Sequence, residues 1–188
     1  MNKIRELFES IVDLSEEDWT FFSSKLERVE FPKKSVILSR GHVENYLSFI
    51  EEGSVRYFIP KIENDLTFGF SFEHQFMCAY DSFLTRQPSS YEIDTLSETI
   101  LWRISHADLQ EVYAHTKVGN TIGRITSENI FLIKAERELS LLNQTAEERY
   151  LSLFKKRPNV IKEIPLKYIA SYIGITPQAL SRIRKRIS

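Results

Sequence analysis

Residues 164–186 constrain this chain more than any other stretch. They read Ile-Pro-Leu-Lys-Tyr-Ile-Ala-Ser-Tyr-Ile-Gly-Ile-Thr-Pro-Gln-Ala-Leu-Ser-Arg-Ile-Arg-Lys-Arg. The spacing predicts a short helix over 166–173 that exposes Lys167 and buries Ile169, Ala170 and Ile173. Gly174 stands where a helix end takes a left-handed residue. Ile175 is an apolar plug for the turn, Thr176 an N-cap, and Pro177 occupies the first helical position, where a missing N–H does no harm. The second helix turns Leu180 and Ile183 inward and leaves Gln178, Ser181, Arg182, Lys185 and Arg186 outward. This is a helix-turn-helix pattern, and small Ala170 lets its helices approach closely. Gln178 can pair with adenine and Arg182 with guanine in a major groove. Lys167 and Thr176 suit phosphate contacts, which set position without reading sequence. The plain alternative is a helical hairpin with a solvated basic face.

Charge favours the first reading. The formal net charge of −1 hides an asymmetry. Residues 144–188 carry ten Lys/Arg against three Asp/Glu, while the remainder carries 15 against 23. A basic end on an acidic body points that end at a polyanion such as double-stranded DNA. Lys155, Lys156 and Arg157, just before the motif, are candidates for added backbone contacts.

Upstream, the pattern changes twice. Residues 2–28 read as helical, with Ser15 as an N-cap over Asp18. From Val29 to Ile104 come short runs rich in β-branched and aromatic residues, punctuated by Gly41, Gly53, Pro60 and Pro88. Such strands at regular spacing predict a sandwich or barrel. Ser105 caps a short helix bearing Leu109, Val112 and Tyr113. A long helix over 118–143 follows, with Val118, Ile122, Ile125, Asn129, Leu132, Glu136 and Leu139 in alternating spacing, the seam of a paired helix. The alternative is that its apolar edges are all intramolecular core. Thr145 opens a further helix with acids in its first turn.

The hydrophobic fraction of 42% with 13 Phe and 8 Tyr supports a sizeable core. No apolar run reaches the roughly 20 residues of a membrane helix and the N-terminus lacks a signal-peptide core, so the expected setting is cytoplasmic, without membrane contact. The single Cys78 excludes an intramolecular disulfide and a multi-cysteine metal or iron–sulfur site, and no His has ligand spacing. Neither a cofactor nor a metal is expected, and no catalytic cluster is evident. A cupin-type enzyme would need a His/Glu set that isolated His42 and His74 do not supply.

The order of these parts and the run Ile169-Ala-Ser-Tyr-Ile-Gly-Ile-Thr-Pro-Gln-Ala-Leu-Ser-Arg-Ile-Arg-Lys resemble the Crp/Fnr regulators. The Glu52-Gly53-Ser54-Val55 turn is similar to that family's β-roll. The resemblance implies an α+β chain. It would hold an N-terminal double-stranded β-roll effector domain of cupin or jelly-roll type (1–116), a dimerisation helix (117–143) and a helix-turn-helix domain (144–188). It implies a homodimeric transcription regulator, not an enzyme, with RNA polymerase as a further partner. The family's base-reading arginine falls on Arg182, and of a second base-contacting pair only Gln178 has a donor, Pro177 having none. The phosphate positions fall on Lys167 and Thr176. The dimer helix would use Val118, Ile122, Ile125, Asn129, Leu132 and Leu139.

Three departures stand out. Cys78-Ala79 replaces the family's Gly-Glu ribose grip, and Ser89-Ser90-Tyr91 lacks its phosphate-pairing arginine, with Arg86 three residues out of register. A phosphate anion buried without a cationic partner is costly, so cyclic AMP is not expected as effector by the usual chemistry. The sequence ends at Ser188 just after the second helix, so a wing would have to come from 160–164 or be minimal. Phe70, Phe72, Phe76, Cys78, Tyr80, Ser89, Ser90 and Tyr91 could line an aromatic effector pocket, or simply fill a core. Cys78 reads as a redox sensor or, more plainly, as a small hydrophobe. The competing function is therefore a small-molecule or redox sensor whose DNA binding waits on an unidentified effector.

Overall fold

The computed structural model describes residues 1–187. The expected N-terminal helical stretch is broken in two, α1 (Asn2–Glu9) and α2 (Glu16–Ser24). The break lies at Ser15, whose hydroxyl accepts the Asp18 N–H at 3.1 Å and restarts the helix. The end of the stretch is not helical: β1 (Glu27–Phe31) pairs along its whole length with β8 (Thr99–Ser105).

Eight strands form two four-stranded antiparallel sheets. One runs β1, β8, β3 (Tyr46–Glu52), β6 (Phe76–Met77). The other runs β2 (Val36–Leu38), β7 (Glu92–Thr95), β4 (Ser54–Ile59), β5 (Leu66–Phe72). Ile50, Val55, Ile93 and Leu101, all at 0–1% exposure, fill the space between them.

Gly53 turns β3 into β4 at φ +97°, and a Cβ there would lie 2.4 Å from the Glu98 carbonyl oxygen and 2.9 Å from Thr99 Cα. Gly41 shares a positive φ of +87° but has open space around it. Gly41→Ala should therefore cost only the left-handed penalty of about 1–2 kcal/mol, whereas Gly53→Ala adds a backbone collision and should cost roughly 3 kcal/mol or more. Urea unfolding of the two variants side by side separates the contributions; equal losses would mean that the turn relaxes freely.

The short α3 (Tyr80–Thr85) follows β6, and α4 (His106–His115) follows β8, capped by Ser105 as expected. The long helix α5 (Gly119–Asn143) then leaves the roll. Four helices follow among the described residues: α6 (Ala146–Lys156), α7 (Pro158–Glu163), α8 (Leu166–Tyr172) and α9 (Pro177–Ile187). Thr145 and Glu148 form a reciprocal capping box at the start of α6. Residues 160–163, the candidate wing, are helical, and among the described residues no strand follows β8. No helix of the described residues is long and apolar enough to cross a membrane.

The C-terminal helices are docked on the outer face and open edge of β5. One cluster joins Phe70 and Phe72 to Tyr150, Leu153, Val160, Ile169, Tyr172, Ile173, Leu180 and Ile183. β5 ends its sheet, so its outer backbone groups lack a strand partner. Ser171 Oγ accepts the Thr67 N–H at 2.8 Å and donates to the Asp65 carbonyl at 2.9 Å, and Arg157 donates to the Phe70 carbonyl at 2.9 Å.

Candidate nucleic-acid interface

The α8–α9 unit is assembled as its sequence predicts. Gly174 adopts φ +81°, and the Ile175 N–H donates to the Ala170 carbonyl at 3.0 Å, closing the end of α8. Arg149 of α6 reinforces this turn by donating to the Ile173 carbonyl at 2.9 Å. Thr176 Oγ1 accepts the Ala179 N–H at 3.2 Å, and Pro177 opens α9. Ile169, Ala170, Ile173 and Leu180, all at 0–1% exposure, form the contact between the two helices. Ala170 is fully buried in that contact.

With those residues inside, the polar set is displayed. Gln178, Ser181, Arg182, Lys185 and Arg186 are all exposed. At 100° per residue they cover an arc of about 140° opposite Leu180 and Ile183. Thr176 and Lys167 are exposed too, and the Lys167 ammonium lies 4.6 Å from the Tyr168 ring centroid. Arg186 is ion-paired with Glu147 on the surface, a contact that solvent weakens and that competes little with a phosphate. Of the flanking cations, Lys156 pairs with Glu136. Arg157 faces inward, on the Phe70 carbonyl and, at 3.2 Å, the Tyr172 hydroxyl, so it supports the docked helices rather than a backbone outside.

The candidate dimer residues divide. Val118 and Ile122 pack into the chain's own cluster with α1, α2 and α4. Asn129, Leu132 and Leu139 are exposed and Ile125 is half-buried. Exposure of Phe131 (69%), Leu132 (63%), Leu139 (59%) and Leu142 (78%) leaves a large apolar face on the outer half of α5.

The candidate effector residues are likewise not one pocket. Phe70 and Phe72 face the C-terminal helices, Cys78 and Tyr80 belong to the cluster under α1 and α2, and Tyr91 lies inside the roll. Ser90 is exposed. Ser89 is buried and closes on Tyr91, accepting its N–H at 3.2 Å and donating to its carbonyl at 2.9 Å. Strand alternation explains the split: Phe70 and Phe72 share a face of β5, and Phe68 shares it too by number, but the register shift between β4 and β5 at Tyr57 and Phe58 turns Phe68 toward the roll and Tyr91.

Sequence reading missed Glu44. Its buried carboxylate accepts the Ala79 N–H at 3.2 Å and the Tyr46 N–H at 3.1 Å. Burial pushes its pKa up, against those backbone bonds. Arg86 sits at φ +57° and donates to the Glu44 carbonyl at 2.6 Å. The backbone around α3, where a nucleotide would be gripped in the resembled family, is therefore satisfied from within the chain. Burial also pushes the Cys78 thiol well above its ordinary range, which disfavours the thiolate.

Comparison with known proteins agrees with this architecture. Residues 28–116 match the cyclic nucleotide-binding domain family. No curated protein is matched by the sequence. Among solved structures, FixK2 from Bradyrhizobium japonicum superposes with a TM-score of 0.73 at 12% identity, over 86% of this chain and 84% of that one. A Crp/Fnr-family protein from Eubacterium rectale gives 0.72 at 15% identity, over 93% and 84%. The c-di-GMP-responsive global regulator CLP from Xanthomonas campestris gives 0.67 at 17% identity, over 92% and 91%. Residues 28–116 are thus similar to a cyclic nucleotide-binding domain, and the chain has the fold of the Crp/Fnr proteins that its sequence resembles.

Proposed function

We propose that this chain is a sequence-specific DNA-binding transcription regulator of Crp/Fnr type, acting as a homodimer and not through cyclic AMP. The observation that carries the reading is the exposed arc of Gln178, Ser181, Arg182, Lys185 and Arg186 on a helix held rigidly by its own core. The effector-like roll is 1–116, the pairing helix 117–143 and the DNA-binding part 144–188. Pairing along the outer face of α5 sets two α9 helices about a two-fold axis, and they read a palindrome with half-sites roughly 34 Å apart. The Ala79 and Ser89 positions, already bonded within the chain, offer a cyclic phosphate no cation.

The test is selection of bound sequences from a random DNA pool by purified protein without added ligand. A palindrome should be enriched. Arg182→Ala should then cost about 1–3 kcal/mol on that site and relax specificity at one base pair. Equal loss on all sequences would make Arg182 a phosphate contact. A folded dimer that enriches nothing would favour the sensor reading, in which an effector must first align the two motifs.

A further inference from the structure

The geometry points to a binding site for a small, uncharged, apolar molecule where the N-terminal helices meet the start of α5. The site does not depend on the DNA-binding reading. A small apolar cleft is walled by Phe8 and Phe22 from α1 and α2, Phe76 from the roll, Val112 from α4, and Ile122 and Ile130 from α5. Four separate parts of one chain converge on it. Gly119 and Gly123 of α5 also line it, and Gly123 lets the Tyr113 ring lie against the helix, where a Cβ would come within 2.8 Å of the phenol oxygen. A glycine in a helix interior costs about 1 kcal/mol relative to alanine, so this shaping has a price in stability.

The polar groups at the rim define the ligand. Ser127 Oγ donates to the Gly123 carbonyl at 2.8 Å and meets the Tyr80 hydroxyl at 2.7 Å, so the two hydroxyls satisfy each other. Thr116 Oγ1 donates to the Val112 carbonyl at 2.7 Å. Asp18 lines the cleft at 7% exposure and accepts the Lys117 N–H at 3.3 Å. A carboxylate in the wall repels an anion, and engaged hydroxyls give little to a polar ligand. An apolar cavity stays dry and forfeits dispersion contacts until an apolar guest fills it. A second copy paired through the outer face of α5 does not reach in: at 100° per residue Ile130 lies about 160° around the helix from Leu132.

Toluene and benzoate, which share a ring and differ in charge, are the probes. Toluene at saturation should raise the Tm of the full chain by several degrees, and benzoate should leave it unchanged. Thr126→Leu with Ile130→Phe fills the cleft and should abolish the toluene response. In the unaltered protein, methyl NMR should show toluene contacts to Ile122 and Ile130 and none to Leu132, which tests the site even if the filled variant does not fold. No Tm shift with toluene, a shift that survives in a folded filled variant, contacts to Leu132 instead, or a response that vanishes as protein concentration rises (a second copy filling the cleft) would each overturn the proposal.

Discussion

Asp94→Ala should destabilise the fold by roughly 3–5 kcal/mol, the cost of stranding a buried charge. The stranded group is Arg56 on β4, at 3% exposure. Its Nε and Nη2 donate to the two Asp94 carboxylate oxygens at 3.0 and 2.6 Å, a planar bidentate pair. Asp65, half in solvent, adds only one contact at 3.2 Å. The guanidinium lies between two rings, 3.8 Å from the Phe58 centroid and 4.2 Å from that of Tyr168 on α8. With Asp94 gone, Arg56 keeps only the single Asp65 contact, and neither ring restores the bidentate pair. For a chain of this length the loss corresponds to a fall in Tm of about 6–20 °C. Adding Arg56→Met should return most of the stability, because the buried charge is then gone and only the partly exposed Asp65 loses a partner. Thermal and urea unfolding of the single and double variants decide the matter, and a single-variant loss below about 1 kcal/mol would show that solvent reaches Arg56. Because Tyr168 covers the pair, the same variant should expose α8 to faster amide exchange than α9.

Charges of this kind mark where the sequence ceases to be legible. The caps at Ser15, Ser105, Thr145 and Thr176, the left-handed Gly174 and the inward set of α8 and α9 all follow from local rules, because each depends on residues within one turn of the chain. Strand-rich composition gave the roll for the same reason. The docking of the C-terminal helices on β5 is different. It rests on contacts between residues about a hundred positions apart, such as Thr67 with Ser171 and Phe70 with Arg157. Arg56, Arg137 and Arg157 look like surface cations in a sequence, yet Arg137 donates to the Tyr172 carbonyl at 2.7 Å and stacks on its ring. Phe70 and Phe72 look like pocket residues, and only the bulge between β4 and β5 shows that they point outward. Periodicity also proved degenerate along α5, where apolar residues occur on nearly every side; burial of Gly119 and Ile122 within the chain shows which side is left uncovered.

That remaining side makes the second strong prediction: Leu132→Asp with Leu139→Asp should leave the fold intact and abolish pairing. Measured from the inward residues, the outer face runs Ile125, Glu128, Leu132, Ala135, Leu139, Leu142, a continuous alternation of three and four. A pair formed on this face would keep Ile125, Leu132 and Leu139 of the seam read from sequence and use Glu128 and Ala135 in place of Asn129 and Glu136, with Leu142 added. In a single chain Leu132 and Leu139 are 63% and 59% exposed, so aspartate there should change stability of the monomer by no more than about 0.5 kcal/mol. In a pair each aspartate meets its own copy across a desolvated seam, and two like charges in apolar surroundings cannot both remain ionised without large cost. Sedimentation equilibrium should show the unaltered chain as a dimer and the variant as a monomer with unchanged circular dichroism. The monomer loses the second half-site contact, so affinity for a palindrome should fall about 100-fold or more while a single half-site is bound as before. A variant that still sediments as a dimer would move the interface elsewhere, and the half-site spacing expected from α5 pairing would go with it. A monomer that still holds the palindrome at full affinity would mean that each α8–α9 unit binds alone, and the two-fold reading of the operator would then fail while the base-contacting role of Arg182 stood.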